Sequence, residues 1–138
     1  MPTRAAIVTG AGRGIGRAIA LELAREGPVA VADLLAPQAR AVAGEITEAG
    51  GRAAAVELDV TDPASVAEGV RAATDALGPL QILVNNAGWD ELRAFTDTDE
   101  AFWERVLDVN FKGALRMTHA LLPTMAVSYT HLTLPTKA

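Results

Sequence analysis

Four glycines, Gly10, Gly12, Gly14 and Gly16, fall within seven residues. They follow a short apolar run from Ala5 to Thr9 and precede Ile15, Ile19 and Leu23, which recur at helical spacing. A strand that turns through glycines into a helix gathers backbone N–H groups and the positive end of the helix dipole at one point. That point suits a phosphate or diphosphate. A side chain on these glycines is expected to stand between the backbone and the ligand. Asp33, 23 residues beyond Gly10, closes a second apolar run that starts at Val29. A carboxylate there can accept hydrogen bonds from both hydroxyls of an adenosine ribose, and it repels a 2′-phosphate. Arg13, inside the glycine turn, pulls the other way, because a guanidinium could pair with that phosphate. The acid acts at contact distance and weighs more, so NAD is expected over NADP.

The glycine pattern is Gly10-x-x-x-Gly14-x-Gly16 preceded by Thr9, and the fingerprint G-x-G-x-x-G is not present. No Gly-Lys-Ser/Thr follows, which excludes a P-loop. A methyltransferase-type G-x-G-x-G through Gly10, Gly12 and Gly14 stays open at this point, as does a tight turn with no ligand. The 138 residues, half of them hydrophobic, suffice for one domain with a core. A net charge of −5 with no long basic run leaves no electrostatic footprint for nucleic acid. The chain has no cysteine, so a disulfide framework and a thiolate metal site are excluded. With no apolar stretch near the roughly 20 residues of a membrane helix and no signal-peptide pattern, a cytoplasmic protein is expected.

The elements that must position these residues alternate. Strands are expected over Ala5–Thr9, Val29–Asp33, Ala53–Asp59 and Leu80–Asn85. Gly27-Pro28, Gly50-Gly51 and Gly78-Pro79 separate them from the helices between. Ala39, Val42, Ile46 and Ala49 line one helix, and Val66, Val70, Ala73 and Leu77 the next, which Asp62-Pro63 opens. A polar loop from Asn86 to Thr98 leads to a long helix from about Asp99, with Phe102, Val106, Val109, Gly113, Met117 and Ala120 on one face. Such alternation predicts an α/β fold: a Rossmann-type doubly wound parallel sheet in the order 3-2-1-4, truncated after about four βα units. A ligand belongs across the carboxyl ends of the first and fourth strands, where the winding reverses. Residues 1–125 form the expected NAD(P)-binding half-domain. Residues 126–138 show no helical stripe and are set aside as a non-native or unstructured tail.

Thr9-Gly10-x-x-x-Gly14-x-Gly16, Asp59-Val60, Asn85-Asn86-Ala87-Gly88 and Val109-Asn110-Phe111-Lys112-Gly113 stand in order along the chain. In this it resembles the N-terminal half of the short-chain dehydrogenase/reductase family, and the methyltransferase reading falls away. The resemblance implies that Gly10, Arg13, Gly14, Ile15 and Gly16 hold a diphosphate and ribose. Asp59 and Val60 would flank the adenine, and Asn86, Ala87 and Gly88 would approach the riboses with their backbone. A side chain at Gly88 would then collide with the cofactor. Asn110 would be catalytic, distorting its helix and holding a water that feeds protons to the active site. An Asn on an apolar helix face beside Gly113 is unfavourable for propensity and burial, a violation easier to understand at a functional site. His119 and Lys112 read as surface or helix-end residues.

The family's chemistry also needs a Tyr, a Lys four residues later and a Ser upstream. Tyr129 is the only tyrosine, and the residue four positions on is Thr133. Lys137 and the adjacent Ser128 are likewise at the wrong spacing, so Ser128, Tyr129 and Lys137 are decoys. The expected parent is an NAD(P)-dependent oxidoreductase that moves hydride between nicotinamide and a secondary alcohol or ketone. By the same resemblance it is a homo-oligomer. Trp89-Asp90 after the Asn-Asn-Ala-Gly motif is similar to some hydroxyacyl-CoA dehydrogenases acting on cyclic acids, which makes a CoA ester one candidate substrate. The chain by itself is expected to bind cofactor without turnover. A non-catalytic dinucleotide-binding module is the second reading, and no metal is expected.

Overall fold

The computed structural model describes residues 3–128 of the chain. Four five-residue strands, β1 (Ala5–Thr9), β2 (Val29–Asp33), β3 (Ala53–Glu57) and β4 (Leu80–Val84), form one parallel sheet in the order β3-β2-β1-β4. Helices α1 (Gly14–Leu23), α2 (Ala36–Glu48) and α3 (Pro63–Leu77) make the crossovers. A long helical stretch follows β4: α4 (Glu100–Leu107), a π-helical segment (Asp108–Lys112) and α5 (Gly113–Ser128). Both β1 and β2 are buried along their whole length, as apolar strands covered on two faces must be.

Successive side chains of β1 point to opposite faces, and two separate cores result. Ala6 and Val8 join Val29 and Val31 against Ala20, Ala39, Val42 and Ile46 of α1 and α2. Ala5 and Ile7 join Ala30 and Ala32 against Val66, Ala73 and Leu77 of α3 and Met117 and Leu121 of α5. From β1 the chain winds to β2 and β3 on one side, then crosses back through α3 to place β4 on the other. The connections leaving the carboxyl ends of β1 and β4 therefore run to opposite faces and open a crevice between them.

Several local expectations are corrected. The buried residues of α1 are Gly16 and Ala20, while Ile15 is 75% exposed, so Ile15 belongs to the surface at the helix start and not to the apolar stripe. Ala49 is the exposed C-cap of α2, and Ala43 takes its place in the core. β3 ends at Glu57, which leaves Asp59 beyond the sheet. The long helix is capped by Asp99, whose carboxylate accepts from the Phe102 N–H at 2.9 Å. Its regular winding is interrupted by the π-helical segment that contains Asn110. α5 extends to Ser128, three residues past the expected domain boundary, whereas Tyr129 and Lys137 lie outside the described residues.

Ile7 sits at 0% exposure at the centre of the sheet. Ile7→Ala should lower the unfolding free energy by about 2–5 kcal/mol, read from the midpoint of urea denaturation.

Candidate functional site

A cleft of about 430 Å³ opens at the carboxyl ends of the strands. The structure brings Gly10, Arg13, Gly14, Ile15, Gly16, Asp33, Asp59, Val60, Asn86, Ala87 and Gly88 together around it. Asn110 is not in its wall.

The junction of β1 and β4 is built from Thr9 and Asn86. The buried Thr9 hydroxyl donates to the Val84 carbonyl (3.4 Å) and accepts from the N–H groups of Asn86 (3.1 Å) and Ala87 (3.0 Å). Asn86 answers with its own amide: Nδ2 donates to the Thr9 carbonyl (3.0 Å) and the Gly10 carbonyl (3.1 Å). Five hydrogen bonds thus fix the glycine turn to the end of β4. The Asn86 side chain thus braces the glycine turn and leaves its backbone carbonyl outside this network.

The glycines are required for different reasons. A Cβ at Gly16 would lie 2.2 Å from the Gly10 carbonyl oxygen, and one at Gly10 would lie 2.9 Å from the Ala87 Cα. Both are crowded by the protein itself. Gly14 has φ +57° and open space where its side chain would be, so its backbone conformation and not crowding within the protein favours glycine there. Gly12, where a Cβ would lie 2.8 Å from Asp33 Oδ2, donates its N–H to that same oxygen at 2.8 Å. No side chain caps the N-terminus of α1, and its N-cap, Arg13, is extended and exposed. These bare first-turn amides present positive charge to the cleft.

Asp33 is only 9% exposed. Its second oxygen accepts from the Leu35 N–H at 2.9 Å, so the carboxylate ties the glycine turn to the start of α2. On the opposite wall, Asp59 Oδ1 accepts from the Thr61 N–H (2.9 Å) and the Thr61 hydroxyl (2.6 Å), while Val60 is buried. The Val60 carbonyl accepts from Arg116 Nη1 at 3.0 Å. Arg116 Nη2 also pairs with the Asp108 carboxylate at 2.6 Å, joining this wall to the π-helical segment.

Asn110 clasps the backbone of Trp89: Oδ1 accepts its N–H at 2.8 Å and Nδ2 donates to its carbonyl at 2.7 Å. The residue is exposed, so its mismatch with the helix is one of propensity and not of burial. A Cβ on Gly88 would also meet Asn110 Oδ1 at 3.0 Å. Trp89 lines the cleft under the Arg105 guanidinium, 3.7 Å from its ring centroid, with the Phe102 ring edge-on at 5.5 Å. Arg105, Gln38 and Thr61 were missed as lining residues, since nothing in their local spacing marks them, while Trp89 was noted only for its place after the Asn-Asn-Ala-Gly motif. His119 and Lys112 are exposed, as expected of surface residues. No group of three or more potential metal ligands occurs among the described residues.

The sequence model of the family described as "short chain dehydrogenase" matches residues 4–130. The chain belongs to this family. Members of the short-chain dehydrogenase family generally bind NAD or NADP. The chain is 39% identical over 122 residues to the oxidoreductase UcpA of Escherichia coli (strain K12), covering 88% of this chain and 46% of that protein. To the sorbitol dehydrogenase of Cereibacter sphaeroides it is 41% identical over 123 residues, covering 88% and 47%. Among solved structures, it is similar to a putative short-chain alcohol dehydrogenase from Sinorhizobium meliloti 1021. That similarity has TM-score 0.87 and 36% identity, and covers 99% of this chain and 59% of the other. The chain thus spans about half the length of the relatives it matches. No helix among the described residues is long and apolar enough to cross a membrane.

Thr9→Val removes the acceptor for two backbone N–H groups and should cost at least about 1–3 kcal/mol, whereas Thr9→Ser should retain most of the stability. Chemical denaturation of the two variants against the parent checks this.

Proposed function

We propose that this chain is the dinucleotide-binding part of an oxidoreductase that transfers hydride between NAD and a secondary alcohol or ketone. The observation that carries the reading is the placement of the buried Asp33 carboxylate in the same cleft as the uncapped start of α1. One recognises a sugar by accepting its hydroxyls, and the other draws the diphosphate. The residues fit the group: the open space at Gly14 lets the diphosphate reach the amides of Gly14, Ile15 and Gly16. The turn needs no rearrangement to receive it, since Thr9 and Asn86 already hold it.

When bound, the nicotinamide supplies the site that accepts or donates hydride. The chain's own residues bind and orient. Asp33 accepts from the adenosine ribose, with Arg13 at the rim. Asp59 and Val60 flank the adenine, and Ala87 and Gly88 follow the ribose and nicotinamide side. Asn110 fixes the loop at Trp89 and holds a water for proton delivery. No step that protonates the substrate oxygen is assigned to this chain, because its single tyrosine, Tyr129, has Thr133 and not a lysine four residues on. That same spacing supports the second reading, a dinucleotide-binding module without chemistry. We place the enzyme in the cytoplasm and as a homo-oligomer, with a CoA ester of a cyclic acid as one candidate substrate, suggested by Trp89-Asp90. Residues 1–125 are assigned as the binding unit and 126–138 as lying outside it.

Isothermal titration of the 138-residue chain should give saturable binding of NAD, with weaker binding of NADP, and no turnover with a panel of secondary alcohols. Asp33→Asn should narrow the preference for NAD over NADP. Failure of both dinucleotides to bind at millimolar concentration would overturn the reading.

A further inference from the structure

Among the described residues, one buried side-chain polar atom has no hydrogen-bond partner: Oε1 of Gln38. Gln38 is the third residue of α2, a position from which a glutamine ordinarily reaches back to the N–H of the N-cap residue. The N-cap is Leu35, and its N–H already donates to Asp33 Oδ1 at 2.9 Å. Asp33 has therefore displaced Gln38 from its usual structural task. The two side chains stand side by side in the cleft wall, since a Cβ at Gly12 would lie 2.8 Å from both Asp33 Oδ2 and the Gln38 Cβ. Both Asp33 oxygens are engaged by backbone N–H groups, whereas the Gln38 oxygen is uncommitted.

We propose that Gln38 is a specificity-determining residue: its amide oxygen accepts a hydrogen bond from the 2′-hydroxyl of the adenosine ribose of a bound dinucleotide. The proposal rests on the dinucleotide reading of this cleft. A polar atom kept from water without a partner costs free energy, and a ligand O–H removes that cost on binding. Gln38 lines the cleft and the terminal torsion of a glutamine is broad, so a turn of the amide alone suffices to present its oxygen to a ligand there. A 2′-phosphate has no hydroxyl hydrogen at this position, and its oxygens would face two acceptors, Asp33 and Gln38. Discrimination thus comes from a neutral acceptor beside a charged one.

The test uses Gln38→Leu and Gln38→Glu in the 138-residue chain, titrated calorimetrically with NAD, NADP and NAD lacking the adenosine 2′-hydroxyl. Gln38→Leu should weaken NAD by about tenfold and leave NADP within about twofold. The affinity lost on deleting the 2′-hydroxyl should be smaller in Gln38→Leu than in the parent. Gln38→Glu keeps the acceptor and should hold NAD within about threefold while weakening NADP further. Without ligand, Gln38→Leu should melt no lower than the parent, because an unpaired acceptor has been replaced by an apolar group. Equal weakening of NAD and NADP, or an unchanged ratio of the two, would overturn the assignment and leave Gln38 a packing residue. A parent chain that binds neither dinucleotide would instead overturn the reading of the cleft on which the assignment stands.

Discussion

The structure turns on the exchange of hydrogen bonds between Thr9 and Asn86. The connections that leave the carboxyl ends of β1 and β4 run to opposite faces of the sheet, and something must hold their first residues at a fixed distance. Here a buried hydroxyl takes two N–H groups from the start of the β4 loop, and an amide returns two bonds to the β1 turn. Neutral groups do all of this, so the junction adds no charge of its own. The charged residues that line the cleft beside it are Asp33, Asp59, Arg13 and Arg105.

That junction dictates the glycines. Because Asn86 reaches across to the Gly10 carbonyl, α1 must start almost in contact with it, and Gly16 has no room for a methyl group. The helix start is thereby pressed against the sheet with its first amides uncapped and turned to the cleft. Asp33 then extends the brace sideways, from the turn at Gly12 to α2 at Leu35. The opposite wall is held from the other core through Arg116, which joins Val60 to the π-helical segment, while Asn110 in that segment fixes Trp89. Two walls from two cores meet over one cleft.

Much of this was legible in the sequence, for identifiable reasons. Strand alternation, the order 3-2-1-4 and the place of the cleft follow from apolar runs, glycine breaks and right-handed crossovers. Asp33 stood out because an acid at the end of an otherwise apolar strand is unusual. The partners of these residues were not legible. Nothing near Gly12 announces Asp33, and nothing near Asn86 announces Gly10, since each pair meets only after the sheet has formed. Ile15 was misread because helical spacing continues past the point where the helix leaves the core. The apolar spacing from Phe102 to Ala120 gave no sign of the π-helical segment, and the helix distortion at Asn110 was expected from the family resemblance and its poor propensity. Its partner Trp89 came only with the fold. Gln38 carried no signal, since a glutamine in a first helical turn is ordinary until its usual partner is taken.

The central claim is that the bare amides at the start of α1 meet the diphosphate of a dinucleotide. Amide proton and nitrogen shifts of the 15N-labelled chain, followed during titration with NAD, test it residue by residue. The account predicts saturable shifts at Gly14, Ile15 and Gly16, with smaller ones at Gly12 and Leu35 as the Asp33 carboxylate takes up the ribose. Saturable binding that leaves these amides unmoved and shifts residues outside the cleft would contradict it.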